Sequence, residues 1–383
     1  MVYREEGAPK LNKCEMRNYG PTGYLWELWH EGPVRARENV ILLHGYRLPL
    51  SALPGRCDEQ FADLDRLLQA TGDRNVWQFE YVGGPLGTYD SVAVYASRLD
   101  AALTRISEIT GNGRFSMVGY SMGGLIARQY IAAGGKSRVD KLLTLATPHM
   151  GTLRFDPFSI PRSERFYPRA GIEMRPDSRL LWDLNTNVEA SSVSEFAALG
   201  GYSRGNSDGT IEMGSTSLVK CAADGSVAEK FYFAGVPRSH LNINRIKTDG
   251  DEVFRMISSF LVGGVLGISK VRCPETPGDY RVPFFLTFSV SENAMGRRSY
   301  PYVMVANTGR CYRGPRIWTQ GARTESGARI YTVQLRPEDD GEARIYYAPK
   351  EYATVRLQSG QSTVVAQPIG AEMVHCVATT VAV

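Results

Sequence analysis

Residues 34–268 alternate between apolar runs and segments with helical periodicity. ENVILLHGY, RFSMVGY and KLLTLATPH are apolar runs, whereas QFADLDRLLQA and DSVAVYASRLDAALTRISEIT carry apolar residues every three or four positions. An apolar run is typical of a parallel strand that helices cover on both faces. The alternation therefore predicts an α/β fold with a mostly parallel sheet. We expect Asp90 to cap the long helix.

Between residues 153 and 194 this alternation stops, and prolines and arginines accompany short apolar pieces such as RLLWDLN. The segment is long for a plain connection, so we expect an inserted cap or lid. Its predicted substrate-binding residues are Phe155, Phe158, Leu181 and Trp182. Two interpretations stay open: a lid that faces lipid, or a segment that covers the site and packs down.

From residue 269 the pattern changes to short alternating runs such as YRVPFFLTFSV, YPYVMVANT and ARIYTVQL, which turn residues separate. This pattern predicts a small all-β domain, most simply a sandwich. The predicted organisation is an N-terminal extension at 1–33, an α/β domain at 34–268 and a C-terminal β domain at 269–383.

The composition excludes several classes of protein. Hydrophobic residues make up 43% of the chain and charged residues 22%, as in an ordinary globular protein. The net charge of +4, from 44 basic and 40 acidic residues, is too small to indicate a nucleic-acid partner. Residues 269–383 hold 14 basic and 10 acidic residues and thus the whole excess. That segment carries either a weak docking surface for anionic groups or a solvated β surface.

Nothing in the sequence fixes the compartment. The start MVYREEGAPKLNKCEMRNYG lacks the basic-then-apolar pattern of a secretory signal. The longest apolar stretch, around residues 257–268, is shorter than a membrane span. Cytoplasmic and secreted locations both stay open. The six cysteines have neither a CxxC pair nor the spacing of a metal site, so we expect no metal and leave their disulfide state open.

The motif that points to chemistry is Gly119-Tyr120-Ser121-Met122-Gly123, between the strand-like FSMV and the helix-like GGLIARQYI. A nucleophile on a strand-to-helix turn needs small neighbours, because the strand and the helix approach closely there. We predict that Ser121 is a nucleophile and that Tyr120 contacts substrate. A glycine-rich helix start without a chemical role is the alternative.

His44-Gly45-Tyr46 follows the first apolar run and is predicted to form an oxyanion loop. A tetrahedral acyl-transfer intermediate needs two backbone N–H donors, each worth about 3 kcal/mol. We predict that the donors are the N–H groups of Met122 and Tyr46. His44 is expected to shape the loop rather than to react.

ILLHGY, VGYSMGGLIARQY and LATPHMGT, in this order, resemble the lipase and esterase branch of the α/β-hydrolase superfamily. The resemblance extends from about residue 34 to residue 261 and is greatest to bacterial lipases and to GPI inositol-deacylase-like and lecithin-acyltransferase-like hydrolases. It implies an α/β-hydrolase fold, no cofactor, and a catalytic serine, acid and histidine in that chain order. The serine carries over onto Ser121.

The histidine follows from position among the five in the chain. Two precede Ser121, His149 lies in a turn that the family uses structurally, and His375 lies in the predicted β domain. His240 remains, in the loop VPRSHLNIN after the last predicted strand of the sheet, where the family has its base. A surface histidine in a loop is the alternative.

The acid is predicted at Asp208, in GNSDGTIEMGSTSL, which matches the family's SDG-then-Ser pattern. The chain departs from the family after this point, because Thr210, Ile211 and Glu212 stand where a Val and a Pro are frequent. Asp224 in AADGS is a rival, and an ordinary Asp-Gly turn is the alternative for both.

These residues predict a serine carboxylester hydrolase that acts on a hydrophobic ester or lipid through an acyl-enzyme. A phospholipase or an acyltransferase with the same three residues is one alternative. A binding or delivery protein, whose β domain recognises a partner or a membrane, is an alternative of another class. Contact with a lipid surface is therefore left open, and the sequence does not indicate an oligomeric state. A calcium site of the kind found in some bacterial lipases is also left open, because no carboxylate cluster can be placed.

Overall fold

The computed structural model describes most of the chain, in several stretches. These are residues 17–18, 26–30, 32–35, 37–47, 61, 63–71, 74–81, 90–152, 169–186, 193, 195–203, 207–216, 231–264, 269–270, 284–291, 301–313, 316–319, 321–347, 350–357, 362–369 and 381–382. Among them, no helix is both long enough and apolar enough to cross a membrane.

Among the described residues, nine strands form one mostly parallel sheet. They are β1 (Arg17–Asn18), β2 (Glu27–His30), β3 (Glu38–Leu43), β4 (Arg74–Glu80), β5 (Phe115–Tyr120), β6 (Val139–Leu145), β7 (Glu195–Gly201), β8 (Phe231–Val236) and β9 (Ser269–Lys270). Their spatial order is β1-β2-β4-β3-β5-β6-β7-β8-β9. The strands from β3 to β8 run parallel, and β1, β2 and β9 join antiparallel at the edges. The predicted α/β fold class is thus confirmed.

Seven α-helices accompany these strands in the part of the chain that the structure describes. They are α1 (Leu64–Ala70), α2 (Val92–Thr110), α3 (Met122–Ala132), α4 (Arg169–Glu173), α5 (Arg179–Thr186), α6 (Met213–Thr216) and α7 (Glu252–Leu261). On β3, Ile41 and Leu43 pack with α2 and α3, while Val40 and Leu42 pack with α1 and α7. Since alternate side chains of a strand point to opposite faces, both faces of the central strands are apolar.

The C-terminal strands form two further sheets. They comprise β10 (Phe284–Val290), β11 (Pro301–Val305), β12 (Arg310–Arg313), β13 (Ile317–Trp318), β14 (Arg329–Leu335), β15 (Gly341–Tyr347), β16 (Lys350–Leu357), β17 (Thr363–Ile369) and β18 (Val381–Ala382). One sheet has the order β13-β14-β10-β17-β18 and the other β12-β11-β15-β16. Side chains from both sheets share one apolar core, as in a β-sandwich.

Two details differ from the sequence expectations. The expected cap Asp90 does not cap α2: Ser91 is the N-cap and its hydroxyl accepts from Val94 N, while Asp90 binds Arg98 at 2.7 Å. Ser91 takes this place because it is adjacent to the first helical residue, and Asp90 is one position too early. In addition, β1 and β2 lie in the predicted N-terminal extension but pair into the large sheet. The predicted domain boundaries themselves stay predictions.

Candidate active site

Ser121 lies on the sharp turn between β5 and α3. Its backbone has φ 51° and ψ −122°, a left-handed φ that a non-glycine residue rarely adopts. The neighbouring glycines allow this turn: a Cβ on Gly119 would lie 2.6 Å from Gly124 Cα, and one on Gly123 would collide with the carbonyl of Leu43. The closeness of strand and helix that the motif predicts is therefore present.

His240 lies between Ser121 and Asp208. Its Nε2 is 3.0 Å from Ser121 Oγ, and its Nδ1 is 2.7 Å from Asp208 Oδ2. All three residues are buried, with relative exposures of 3% for Ser121, 8% for His240 and 1% for Asp208. The three predicted residues thus come together in a continuous hydrogen-bonded line that is largely shielded from water.

Asp208 is fixed by its own loop. Its second carboxylate oxygen, Oδ1, accepts hydrogen bonds from the backbone N–H groups of Thr210 and Ile211, both at 2.7 Å. The backbone N–H of His240 also donates to the carbonyl of Asp208 at 2.8 Å. Because both carboxylate oxygens are engaged, the carboxylate has one orientation relative to the imidazole.

Tyr120 also contacts the histidine. Its hydroxyl donates to the backbone carbonyl of His240 at 2.8 Å, and the two rings lie 5.2 Å apart. Tyr120 is only 5% exposed. These contacts are those of a residue that positions His240, while its predicted contact with substrate stays a prediction.

The loop His44–Tyr46 packs directly on Ser121. A Cβ on Gly45 would lie 2.9 Å from Ser121 Cβ, so only glycine fits at that point. The ring of His44 binds Glu80 at 2.8 Å and stacks on Tyr81 at a centroid distance of 3.9 Å. The hydroxyl of Tyr81 donates to the carbonyl of His44 at 2.6 Å. His44 therefore shapes the loop, as its sequence position suggests.

Comparison with known proteins bears on this arrangement. The sequence model of the palmitoyl protein thioesterase family matches residues 40–210, somewhat less than half of the chain. Phospholipase PlaB from Legionella pneumophila is similar in structure, with 13% identity, a TM-score of 0.53 and coverage of 86% of this chain and 92% of that one. The mature lipase BlEst2 from Bacillus licheniformis aligns with 17% identity, a TM-score of 0.46 and coverage of 63% and 99%. No curated protein matches the chain in sequence.

The family match includes the turn that carries Ser121, and the alignment with PlaB covers 86% of this chain. The chain has the α/β-hydrolase fold. The resemblance stated from the motifs is confirmed at this level, and the order of the sheet, with β2 antiparallel beside β4, is that of an α/β-hydrolase with added edge strands.

The other predicted residues divide into three groups. Met122 is fully buried at the start of α3, and Tyr46 is partly exposed beside Gly45. Leu181 and Trp182 lie on α5 and belong to the apolar core that packs against α2 and α3. Their burial indicates packing, and their predicted contact with substrate stays a prediction. Phe155, Phe158 and the rival acid Asp224 lie outside the described residues.

A buried polar cluster behind Ser121 was not predicted. The guanidinium of Arg128 on α3 donates to the carbonyl of Leu184 at 2.8 Å and to Asn185 Oδ1 at 3.0 Å, and lies 3.3 Å from His149 Nδ1. Burial lowers the pKa of Arg128 to about 9, and burial together with Arg128 holds the pKa of His149 well below its ordinary value. The cluster ties the loop after β6 to α5. Its signal in the sequence is an arginine within the apolar helix GGLIARQYI.

The α/β-hydrolase shows no grouping of three or more His, Cys, Asp or Glu side chains suited to a metal ion, as far as the described residues extend.

Proposed function

We propose that this α/β-hydrolase cleaves carboxylic esters through an acyl-enzyme, with Ser121 as nucleophile, His240 as general base and acid, and Asp208 as the residue that orients His240. The observation that carries the proposal is the hydrogen-bonded line from Ser121 Oγ to His240 Nε2 and from His240 Nδ1 to Asp208 Oδ2, at 3.0 and 2.7 Å. Such a constellation is recognised by geometry and roles rather than by sequence position.

In the first half-reaction Ser121 Oγ attacks the carbonyl carbon of the ester. The proton on Oγ moves to His240 Nε2, which is free to accept it because Asp208 holds the other ring proton on Nδ1. The carbon becomes tetrahedral and its oxygen carries the negative charge. His240 then gives the proton to the leaving alcohol, the bond between the carbonyl carbon and the leaving oxygen breaks, and an ester on Ser121 remains.

The negative charge on the intermediate needs donors that are already in place. We assign them to the backbone N–H groups of Met122 and Tyr46. The position of Met122 at the N-terminus of α3 supports this assignment, since helix N-termini favour negative charge. The close packing of Gly45 on Ser121 supports a neighbouring donor from the loop of Tyr46.

In the second half-reaction water replaces the alcohol. His240 takes a proton from the water, whose oxygen attacks the ester carbon on Ser121, and the same donors stabilise the second tetrahedral intermediate. His240 returns the proton to Ser121 Oγ as the carboxylic acid departs. An acyltransferase would differ only in the acceptor, an alcohol or amine in place of water.

The predicted cap and the family match both bear on the class of substrate. The predicted cap at residues 153–194 is rich in apolar side chains. Such a segment suits the acyl chain of a hydrophobic ester or lipid. The match to the palmitoyl protein thioesterase family favours a second candidate, hydrolysis of long-chain thioesters by the same residues. In that reaction the leaving group is a thiol, which needs less help from a general acid because it departs more readily than an alcohol.

Hydrolysis of p-nitrophenyl esters from acetate to palmitate tests the proposal, with Ser121→Ala as the control. We expect activity that depends on Ser121 and rises with chain length up to the capacity of the acyl site. A chain that binds these esters without serine-dependent turnover would instead favour the binding or delivery protein.

Matched acyl donors separate the two substrate classes. Palmitoyl-coenzyme A and an S-palmitoylated peptide present a thioester, and monopalmitoyl glycerol and palmitoyl lysophosphatidylcholine present an oxygen ester with the same acyl chain. A higher kcat/KM for both thioesters favours the thioesterase, whereas preference for the lysophospholipid favours a phospholipase. Formation of a new ester when glycerol is added favours the acyltransferase.

A further inference from the structure

The five-stranded C-terminal sheet packs on the α/β-hydrolase part as well as on its own partner sheet. Along β10, Phe284, Leu286 and Phe288 point into the sandwich core, whereas Phe285 belongs to the apolar core of the large sheet. Ile330 on β14 and Val364 on β17 lie in the same core as Phe285, and β10 contacts α6. The sheet is therefore buried on both faces.

One buried serine connects this sheet to the segment that carries Asp208. Ser362 precedes β17 and is fully buried; its Oγ accepts from the backbone N–H of Phe285 at 3.0 Å and donates to the carbonyl of Gly214 at 2.9 Å. We call residues 207–216 the acid loop. Gly214 lies in α6, the short helix at the end of this loop. The hydroxyl thus links a strand of the sandwich to the acid loop.

The opposite side of the acid loop is held by the segment after β6. Ser215 Oγ donates to the carbonyl of Gly151 at 2.6 Å, and Thr152 Oγ1 donates to the carbonyl of Thr210 at 2.7 Å. Thr210 is also one of the two residues whose N–H groups bind Asp208. The acid loop therefore lies between the segment 150–152 and the C-terminal sheet.

A second hydrogen bond from the C-terminal sheet binds Pro176, which packs against the segment 150–152. Thr332 Oγ1 on β14 donates to the carbonyl of Pro176 at 3.0 Å. Pro176 is packed so closely on Gly151 that a Cβ there would lie 2.5 Å from Pro176 N, and Gly151 has φ +89°. The hydrogen bond of Ser362 therefore holds the acid loop directly, and that of Thr332 holds the segment that packs beside it.

We propose that the C-terminal β-sandwich positions the active site, and that Ser362 acts as a positioning residue for Asp208 through the acid loop. This inference rests on the proposed function, in which Asp208 orients His240. Displacing a supporting element by a fraction of an ångström lowers the rate of the chemical step more than it lowers substrate binding. The β-sandwich is then required for catalysis, in addition to any role in binding a partner or a membrane.

Ser362→Ala in the full chain tests the proposal, with Ser289→Ala as a matched control. Ser289 is fully buried on β10, on the same face as Phe285, but its Oγ has no hydrogen-bond partner among the described residues. We expect Ser362→Ala to lower kcat for a soluble p-nitrophenyl ester roughly tenfold with KM little changed, and Ser289→Ala to keep the wild-type kcat. A wild-type kcat in Ser362→Ala overturns the inference.

A double-mutant cycle with Asp208→Asn separates positioning from general destabilisation. If Ser362 acts through Asp208, Ser362→Ala lowers kcat in the wild-type background but not in Asp208→Asn. The same fold-loss in both backgrounds overturns the inference. Wild-type activity of Asp208→Asn alone contradicts the proposed function itself, whereas a damaged Asp208→Asn with an intact Ser362→Ala contradicts only the role of the sandwich.

Ser362→Ala leaves two buried backbone groups without their partner, so its melting temperature is measured beside kcat. If that variant does not fold, Thr332→Val, which is similar in shape, takes its place in the same cycle. A lower kcat that disappears in the Asp208→Asn background supports the proposal, and a wild-type kcat in Thr332→Val overturns it.

Discussion

The turn at Ser121 and the acid loop hold their side chains by different means. Residues 119–124 are fixed by contacts among near neighbours, because the glycines let β5 and α3 approach each other. The acid loop is fixed by residues far away in sequence, including Thr152 and Ser362. A local motif therefore determines the nucleophile, whereas the acid depends on the assembly of the whole chain.

The contrast predicts how each region fails. Damage to the turn at Ser121 strains a short stretch of backbone and lowers stability, because the colliding atoms belong to the core. Loss of a hydrogen bond that holds the acid loop is expected to alter the orientation of His240 more than it alters the packing of the core. Stability and kcat are therefore expected to separate between the two regions.

The largest expected effect is that of Asp208→Asn. The backbone N–H groups of Thr210 and Ile211 would retain the amide oxygen at the place of Oδ1, so the NH2 group would face His240 Nδ1. The ring proton then moves to Nε2, which can no longer accept the proton of Ser121. We expect kcat to fall by about 10⁴, as when the acid of a serine protease is replaced in this way.

Steady-state kinetics with a soluble ester measures this loss, and Asp140→Asn is the control. Asp140 forms an ion pair with Arg114 at the surface, which contributes little to stability. Asp140→Asn is expected to keep the wild-type kcat. A fall of less than tenfold in Asp208→Asn would assign the orienting role to another residue.

Gly124→Ala tests the close packing beside Ser121. The added methyl group would collide with Thr147 Oγ1 and lie 2.9 Å from Thr144 Cγ2. Overpacking of this kind costs about 1–3 kcal/mol in the free energy of unfolding. Chemical denaturation measures the change, and Gly171→Ala is the control because a Cβ at that helical glycine meets nothing within 4 Å. Equal stability of the two variants would contradict the packing argument.

Tyr120→Phe affects a side chain next to the nucleophile, since Tyr120 precedes Ser121 and its hydroxyl binds the carbonyl of His240. Removing that hydrogen bond frees the backbone of His240, and we expect kcat to fall up to about tenfold with KM nearly unchanged. Tyr232→Phe, on β8 and in ring contact with Phe260 of α7, serves as the control. A change in KM alone would instead support the predicted contact of Tyr120 with substrate.

His30 lies in neither region. Its burial predicts that the free energy of unfolding, rather than kcat, depends on pH in the acid range. Burial lowers its pKa from 6.5 to about 4, with a smaller opposing effect from the backbone of Gly32. Between pH 4 and pH 6.5 the imidazole of His30 binds a proton in the unfolded chain but not in the folded chain. The stabilising contribution of the neutral, buried imidazole is therefore present above pH 6.5 and is lost as the pH falls towards 4.

His30→Gln removes that titration. In urea unfolding at pH 7 and at pH 5, the difference in unfolding free energy between wild type and His30→Gln is expected to shrink at the lower pH, while kcat at pH 7 stays unchanged. A difference that is the same at both pH values would show that His30 does not titrate in this range.

Local patterns in the sequence predicted those elements whose conformation depends on a few consecutive residues. The apolar runs identified β3, β5 and β6, and GYSMGG identified the turn at Ser121, because each depends on a few consecutive residues. Asp208 and His240 were predicted from the family order of the residues, and the structure brings them beside Ser121. Their roles remain proposals.

Contacts between distant segments were not predictable in the same way. ELWH is too short to be distinguished as β2, and it becomes a strand because β4 offers an edge. The link from Ser362 to Gly214 and the position of Arg128 beside His149 depend on folding of the whole chain. The arginine within GGLIARQYI indicates a buried polar contact, but neither it nor Ser362 has a local pattern that identifies the partner.

Labelling with a fluorophosphonate, followed by intact-mass measurement and peptide mapping, tests the central claim most directly. We expect a single phosphonyl group on Ser121, loss of ester hydrolysis in proportion to labelling, no labelling of Ser121→Ala and much slower labelling of His240→Ala. Labelling at another residue, or ester hydrolysis by Ser121→Ala at the wild-type rate, would contradict the account.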